Sequence, residues 1–148
     1  MDTIPDLTVT APDGAPLALA DLPRPLIVYF YPKDDTSGCT REAQDFSALA
    51  GDFAAAGVTV LGVSKDGPAS HVKFIGKYDL NVRLASDEDG AACAAFGTWV
   101  EKSMYGRKYM GIERATFLFG ADGKLRREWR KVKVPGHAAE VLAAAKAL

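Results

Sequence analysis

The stretch Pro32-Lys33-Asp34-Asp35-Thr36-Ser37-Gly38-Cys39 places a lone thiol directly behind a polar loop punctuated by proline and glycine. The apolar run before it, Leu26 to Tyr31, reads as a strand. The residues after it carry Ala43, Phe46, Ala50 and Phe53 at three- and four-residue spacing, a helical pattern. The thiol therefore stands at a strand-to-helix junction, where α/β sheets place their ligands. In the first turn of a helix the N–H groups lack intrahelical partners, and the positive end of the macrodipole adds to their effect. Both favour a thiolate over a thiol, and the thiolate is the nucleophile. The competing reading is a small buried residue with an inert thiol, as many free cysteines are. Residue types and spacing leave both readings open.

The other chemistry-bearing residues are few. Cys93, in Asp89-Gly90-Ala91-Ala92-Cys93-Ala94-Ala95-Phe96, is the only second thiol. Two cysteines and two histidines give neither a disulfide framework nor zinc-site spacing, which leaves redox chemistry or packing. His71 and His137 stand at apparent helix starts with no acidic or thiol neighbour in sequence, and no role is assigned to either. Lys124, Arg126, Arg127, Arg130, Lys131 and Lys133 form a basic run, but strand alternation and the nearby Glu128 favour a solvated face over a nucleic-acid contact. Trp99, Tyr105, Tyr109 and Met110 either border a pocket or simply pack.

The elements that must position these groups follow from periodicity. Leu7–Val9 and Leu17–Leu19 flank Pro12-Asp13-Gly14 as a short N-terminal hairpin. After the Leu26–Tyr31 strand, covered on both faces, a helix is expected from about Thr40 to just before Gly57. A second buried-type strand over Val58–Val63, a helix over Ala69–Tyr78 and a short strand over Val82–Ala85 come next, a β-α-β-α order that favours a parallel core. Asp87 is placed to cap the alanine-rich helix around Cys93. Lys102 to Gly111 reads as a long polar loop. Ala115–Phe119 and Leu125–Arg130 flank Gly120-Ala121-Asp122-Gly123 as a hairpin, and His137–Leu148 closes the chain as an amphipathic helix.

With 148 residues, 48% hydrophobic and 25% charged, the chain matches one domain spanning 1–148. Its net charge of -1, with both signs interspersed, gives no field favouring nucleic acid or an anionic membrane. The N-terminus lacks a signal-peptide pattern and no apolar run reaches spanning length, so a cytoplasmic protein with no membrane or nucleic-acid partner is expected. No cofactor motif is present.

The run Tyr29-Phe30-Tyr31-Pro32-Lys33-Asp34-Asp35-Thr36-Ser37-Gly38-Cys39-Thr40-Arg41-Glu42-Ala43 resembles the peroxiredoxin active-site signature, Pro-x-x-x-Thr-x-x-Cys. It is most similar to the peroxiredoxin Q group, also called the bacterioferritin comigratory protein family. The resemblance extends through Lys102-Ser103-Met104-Tyr105-Gly106, Met110-Gly111-Ile112-Glu113-Arg114-Ala115-Thr116-Phe117 and Trp129-Arg130-Lys131-Val132-Lys133, three ordered blocks beyond a short motif. It implies a thioredoxin-like α/β fold, a central mixed sheet flanked by helices with the N-terminal hairpin as an extension. It also implies a thiol peroxidase without a cofactor.

Carried over by position, Cys39 would be the peroxidatic nucleophile, Thr36 would hydrogen-bond the attacked peroxide and Pro32 would shield the thiolate. Arg114 would stabilise both the anion and the charge developing on the leaving oxygen. Glu42 would orient Arg114, and Gly38 would support the loop. Ser37 stands where the family often has proline, which removes a φ restraint. Many members keep a resolving cysteine five residues along the same helix, where this chain has Gln44. Cys93 resembles the resolving cysteine of a second subtype, which implies an intramolecular Cys39–Cys93 disulfide, regenerated by thioredoxin or a glutaredoxin-type dithiol in a monomer. A one-cysteine peroxidase resolved by an external thiol, and a non-catalytic redox sensor or holdase, are the alternatives. A thioredoxin-like reductase is disfavoured because Thr36 replaces the first cysteine of Cys-x-x-Cys.

Overall fold

The computed structural model describes all residues, 1–148. Along the chain run β1 (Thr8–Thr10), β2 (Pro16–Ala18), β3 (Leu26–Phe30), α1 (Ser37–Ala48), α2 (Ala50–Ala55), β4 (Thr59–Ser64), α3 (Pro68–Tyr78), β5 (Arg83–Ser86), α4 (Ala91–Ala95), β6 (Trp99–Met104), β7 (Arg107–Ile112), β8 (Ala115–Phe119), β9 (Leu125–Trp129) and α5 (His137–Lys146). Seven strands form one mixed sheet in the order β2-β1-β5-β4-β3-β8-β9. Strand β3 pairs parallel with β4 and antiparallel with β8, and all five of its residues are buried, as its unbroken apolar run predicts. The N-terminal hairpin extends the sheet beyond β5 through a single pairing, Thr10 with Ser86.

Alternation along β3 divides the core. Leu26, Val28 and Phe30 point into a cluster with Phe96, Phe117, Phe119 and Cys93. Ile27, Tyr29 and Tyr31 point into another with Cys39, Phe46, Phe74 and Val141. The two thiols thus belong to cores on opposite faces of the sheet.

Two sequence expectations need correction. Helix α1 begins at Ser37, three residues earlier than periodicity suggested, with Thr36 as an extended N-cap residue, and it breaks at Leu49, so that α2 is separate. The apolar repeat cannot register a first turn made of Ser37 and Gly38. The segment Lys102–Gly111 is not a loop: β6 and β7 pair antiparallel as a separate two-stranded sheet. Tyr105 and Gly106 join them, both at positive φ (52 and 77), the backbone that a tight two-residue turn of the I′ kind requires. Polar side chains on both strands hid the alternation. No helix is long and apolar enough to cross a membrane.

Candidate active site

Cys39 is the third residue of α1, and its side chain is turned inward, leaving the residue 2% exposed. Sγ accepts a hydrogen bond from Arg114 Nη2 at 3.3 Å. Arg114 reaches this position because β8 pairs with β3 so that Ala115 lies opposite Phe30. The residue before β8 therefore stands beside the end of β3, where the loop to Cys39 begins. The other guanidinium nitrogen, Nη1, donates to Glu42 Oε1 at 2.6 Å. Glu42 lies three residues beyond Cys39, on the same face of α1, which is why one guanidinium can serve both.

The electrostatics follow from burial. Glu42 is 1% exposed. Burial pushes its carboxyl up against the opposing pull of Arg114, from 4.5 to about 7. For Arg114, burial works against the charge, but Glu42 and Cys39 outweigh it and hold the guanidinium above its ordinary value. Gly38 permits this close approach, since a Cβ there would lie 3.2 Å from Arg114 Nη2. Thr36 Oγ1 donates to the Lys33 carbonyl at 2.8 Å, and the Thr36 carbonyl accepts from the Thr40 N–H at 2.8 Å. These two bonds fold the loop onto the helix start. Pro32 is half-buried at the entry of that loop.

Three further groups at the site escaped the sequence reading. Tyr29 stacks on Phe46 with ring centroids 4.6 Å apart, and its buried hydroxyl has no partner. Burial, followed by the charges of Glu42 and Cys39, raises its pKa and keeps the phenol neutral. Its odd position in β3, in phase with Ile27 and Tyr31, was the available signal. Thr40 Oγ1 is also buried without a partner, like the second carboxylate oxygen of Glu42, a residue already named from the sequence. Lys102, brought in by the hairpin instead of a loop, feels Arg114 and Cys39; burial first, then Arg114, lowers its pKa.

Cys93 stands apart from this cluster. It is fully buried in α4, and burial, reinforced by Asp87, pushes its thiol up to about 12. Asp87 caps α4 as expected, its carboxylate accepting the Ala92 and Cys93 N–H groups at 2.9 and 2.8 Å. The opposite end of α4 is held by Arg130, which donates to the Gly97 and Phe96 carbonyls at 2.9 and 3.3 Å. Arg130 is therefore a structural contact, not part of a purely solvated basic face. His71, left without a role in sequence, pairs with Asp34. Cys39, Arg114, Glu42 and Gly38 are brought together, with Thr36 and Pro32 in the adjoining loop and Cys93 across the sheet. No group of three or more His, Cys, Asp or Glu side chains is placed to hold a metal ion.

A thiol hydrogen-bonded by a guanidinium at a helix start, on a mixed sheet of this order, defines a thiol-redox site on a thioredoxin-like fold. The chain belongs to the AhpC/TSA family, whose model matches residues 1–128, and within it to the peroxiredoxins of the Bcp type. It is 47% identical over 139 residues to a putative Bcp peroxiredoxin of Coxiella burnetii, covering 93% of this chain and 92% of that one. With the peroxiredoxin Bcp of Xanthomonas campestris it shares 52% identity over 122 residues, covering 82% and 76%. A solved structure of the X. campestris bacterioferritin comigratory protein, studied for its alkyl peroxide reduction activity, superposes with a TM-score of 0.90 at 47% identity, covering 96% of this chain and 91% of that one.

Proposed function

We propose that this protein is a thiol peroxidase reducing hydrogen peroxide and organic hydroperoxides, with Cys39 as nucleophile. The contact between Arg114 Nη2 and Cys39 Sγ carries this reading. The thiolate attacks one peroxide oxygen, forming an S–O bond as the O–O bond breaks. The other oxygen leaves as an alkoxide or hydroxide and takes up a proton, giving alcohol or water and a Cys39 sulfenic acid. The guanidinium stabilises the thiolate before attack and the charge on the leaving oxygen during it. Thr36 Oγ1, whose hydrogen goes to Lys33, offers a lone pair to the hydroperoxide hydrogen. Pro32 keeps water from one side of the sulfur. Glu42 holds the plane of Arg114, and Gly38 makes room for it. The alkyl peroxide reduction activity of the X. campestris protein supports organic hydroperoxides as substrates.

Cys93 then attacks the sulfenic sulfur, releasing water and forming an intramolecular disulfide. A dithiol of the thioredoxin or glutaredoxin type reduces it by exchange, as a reducing cytoplasm allows. Such a cycle needs no second chain and suits a monomer. Because the thiols lie in cores on opposite faces of the sheet, it requires local unfolding of the first turn of α1 and of α4. That separation equally favours a second reading, a one-cysteine peroxidase resolved by an external thiol. Mass analysis after one equivalent of hydrogen peroxide separates them. Loss of about two mass units with a Cys39–Cys93 linked peptide, replaced by oxygen addition at Cys39 in Cys93→Ser, supports the two-cysteine cycle. Oxygenated Cys39 in both proteins supports the one-cysteine cycle, and unreacted Cys39 refutes both.

A further inference from the structure

His71 takes no part in the chemistry above, yet it is a fully buried imidazole engaged at both ring nitrogens. Nδ1 lies 2.7 Å from Asp34 Oδ2, and Nε2 lies 3.0 Å from the Ala85 carbonyl oxygen. Asp34 is in the loop leading to Cys39. Ala85 is in β5, two residues before the Asp87 that caps the Cys93 helix. One side chain of α3 thus ties together the two chain segments that carry the two thiols.

Asp34 is gripped from several sides. Tyr31 Oη donates to its Oδ1 at 2.6 Å, Ser70 Oγ to its Oδ2 at 2.8 Å, and its own N–H donates to Asp66 Oδ2 at 2.9 Å. Burial pushes the Asp34 carboxyl up, but hydrogen bonds from His71, Tyr31 and Ser70 outweigh burial and hold it below its ordinary value. Hydrogen bonds to an ionised, buried acceptor are about twice as strong as neutral ones. The next residues differ sharply. Asp35, Thr36 and Ser37 are all exposed, and Asp35 bonds only to the surface groups Lys77 and Tyr78. The boundary between tightly and loosely held chain falls between Asp34 and Asp35.

We propose that His71 is a positioning residue for resolution: with Asp34 it fixes the hinge from which the Cys39 segment opens toward Cys93 and to which it returns on reduction. This rests on the Cys39–Cys93 disulfide proposed above. The pin confines opening to residues beyond Asp34 and stabilises the closed arrangement in which Cys39 meets Arg114. Loosening it raises the open fraction, so disulfide formation quickens and a second peroxide finds less sulfenic acid to oxidise, while the first attack on peroxide is nearly unchanged.

The test uses the full chain with hydrogen peroxide, quenched at set times and read by peptide mass. In His71→Gln, whose single amide nitrogen cannot reach partners that the two ring nitrogens meet separately, the linked peptide is expected to form at least about fivefold faster. Sulfinic acid at high peroxide should fall, and the rate of Cys39 oxidation, measured with Cys93→Ser, should stay within twofold. Asp34→Asn should behave alike, and the double variant should add little to either. Hydrogen exchange on the wild-type disulfide form needs no variant: the Asp34 amide, bonded to Asp66, should stay protected while the Thr40 amide, bonded to the Thr36 carbonyl in the closed form, loses protection. Unaltered disulfide rates in both variants, or an Asp34 amide that exchanges as fast as that of Thr40, overturn the inference alone. A wild type that forms no linked peptide overturns it together with the two-cysteine cycle.

Discussion

Replacing Arg114 by lysine keeps the positive charge and removes the fork. The guanidinium meets Cys39 Sγ through Nη2 and Glu42 Oε1 through Nη1, at 3.3 and 2.6 Å, and a single ammonium nitrogen cannot occupy both places. An ammonium drawn to the buried Glu42 leaves the sulfur without its donor. A hydrogen bond to a charged group contributes about 1.5–3 kcal/mol, and each 1.36 kcal/mol of barrier is tenfold in rate. Arg114→Lys should therefore slow the second-order oxidation of Cys39 by roughly ten- to 150-fold. The measurement is quenched-flow mass analysis of Cys39 oxygenation in the Cys93→Ser background, where resolution cannot mask the first step. Glu42→Gln is the companion: it keeps an acceptor for Nη1, and its loss should be smaller. A folded Arg114→Lys protein reacting within threefold of its parent would refute the assignment of the guanidinium as the activating group.

Other outcomes follow from the same geometry. Gly38→Ala puts a methyl 3.2 Å from Arg114 Nη2 and should push the fork off the sulfur, slowing the first step about three- to tenfold, a loss of up to one charge-assisted bond; an unchanged rate would show that the guanidinium has room to retreat. Glu42, raised to about 7 when folded against 4.5 as its ordinary value, keeps its proton in the native state over a range where the unfolded chain has lost it. Wild type should therefore lose stability relative to Glu42→Gln, by about 3 kcal/mol at most, as pH rises from about 4.5 to about 7, and then level off; parallel urea-unfolding curves across that window would contradict this. Asp87→Asn removes a charge that helps hold Cys93 near 12, so thiolate absorbance of Cys93, recorded in Cys39→Ser, should appear at lower pH. The same variant should cost about 1 kcal/mol through the weakened cap on α4. Arg130→Ala frees the Phe96 and Gly97 carbonyls and should speed formation of the Cys39–Cys93 disulfide; a slower rate would place the opening elsewhere.

What could be read in the sequence was local. The apolar run Leu26–Tyr31, the proline after it and the spacing of Ala43 and Phe46 mark the strand, the stop and the helix that deliver Cys39, because each is set by near neighbours. The Asp87 cap is equally local. The contacts that make the site specific are not: Arg114 meets Cys39 only because β8 registers against β3, and His71 meets Asp34 across 37 residues of sequence. No periodicity encodes such encounters. The β6–β7 hairpin was missed because neither strand buries a full face, which removes the alternation that betrays a strand. The separation of the two thiols was invisible for a related reason: one-dimensional patterns show that a helix packs on a sheet, not on which side.

In the two-cysteine cycle proposed above, that division of the thiols by the protein's own β-sheet ties a chemical lifetime to mechanical compliance. In that cycle a sulfenic acid formed at Cys39 waits behind a wall for as long as α1 and α4 take to loosen. Cooling, a ligand that grips the closed form, or any substitution that stiffens either helix should then prolong the wait and leave the sulfur exposed to a second oxidant. In such a cycle added rigidity, ordinarily a gain for a folded protein, should shorten the molecule's working life.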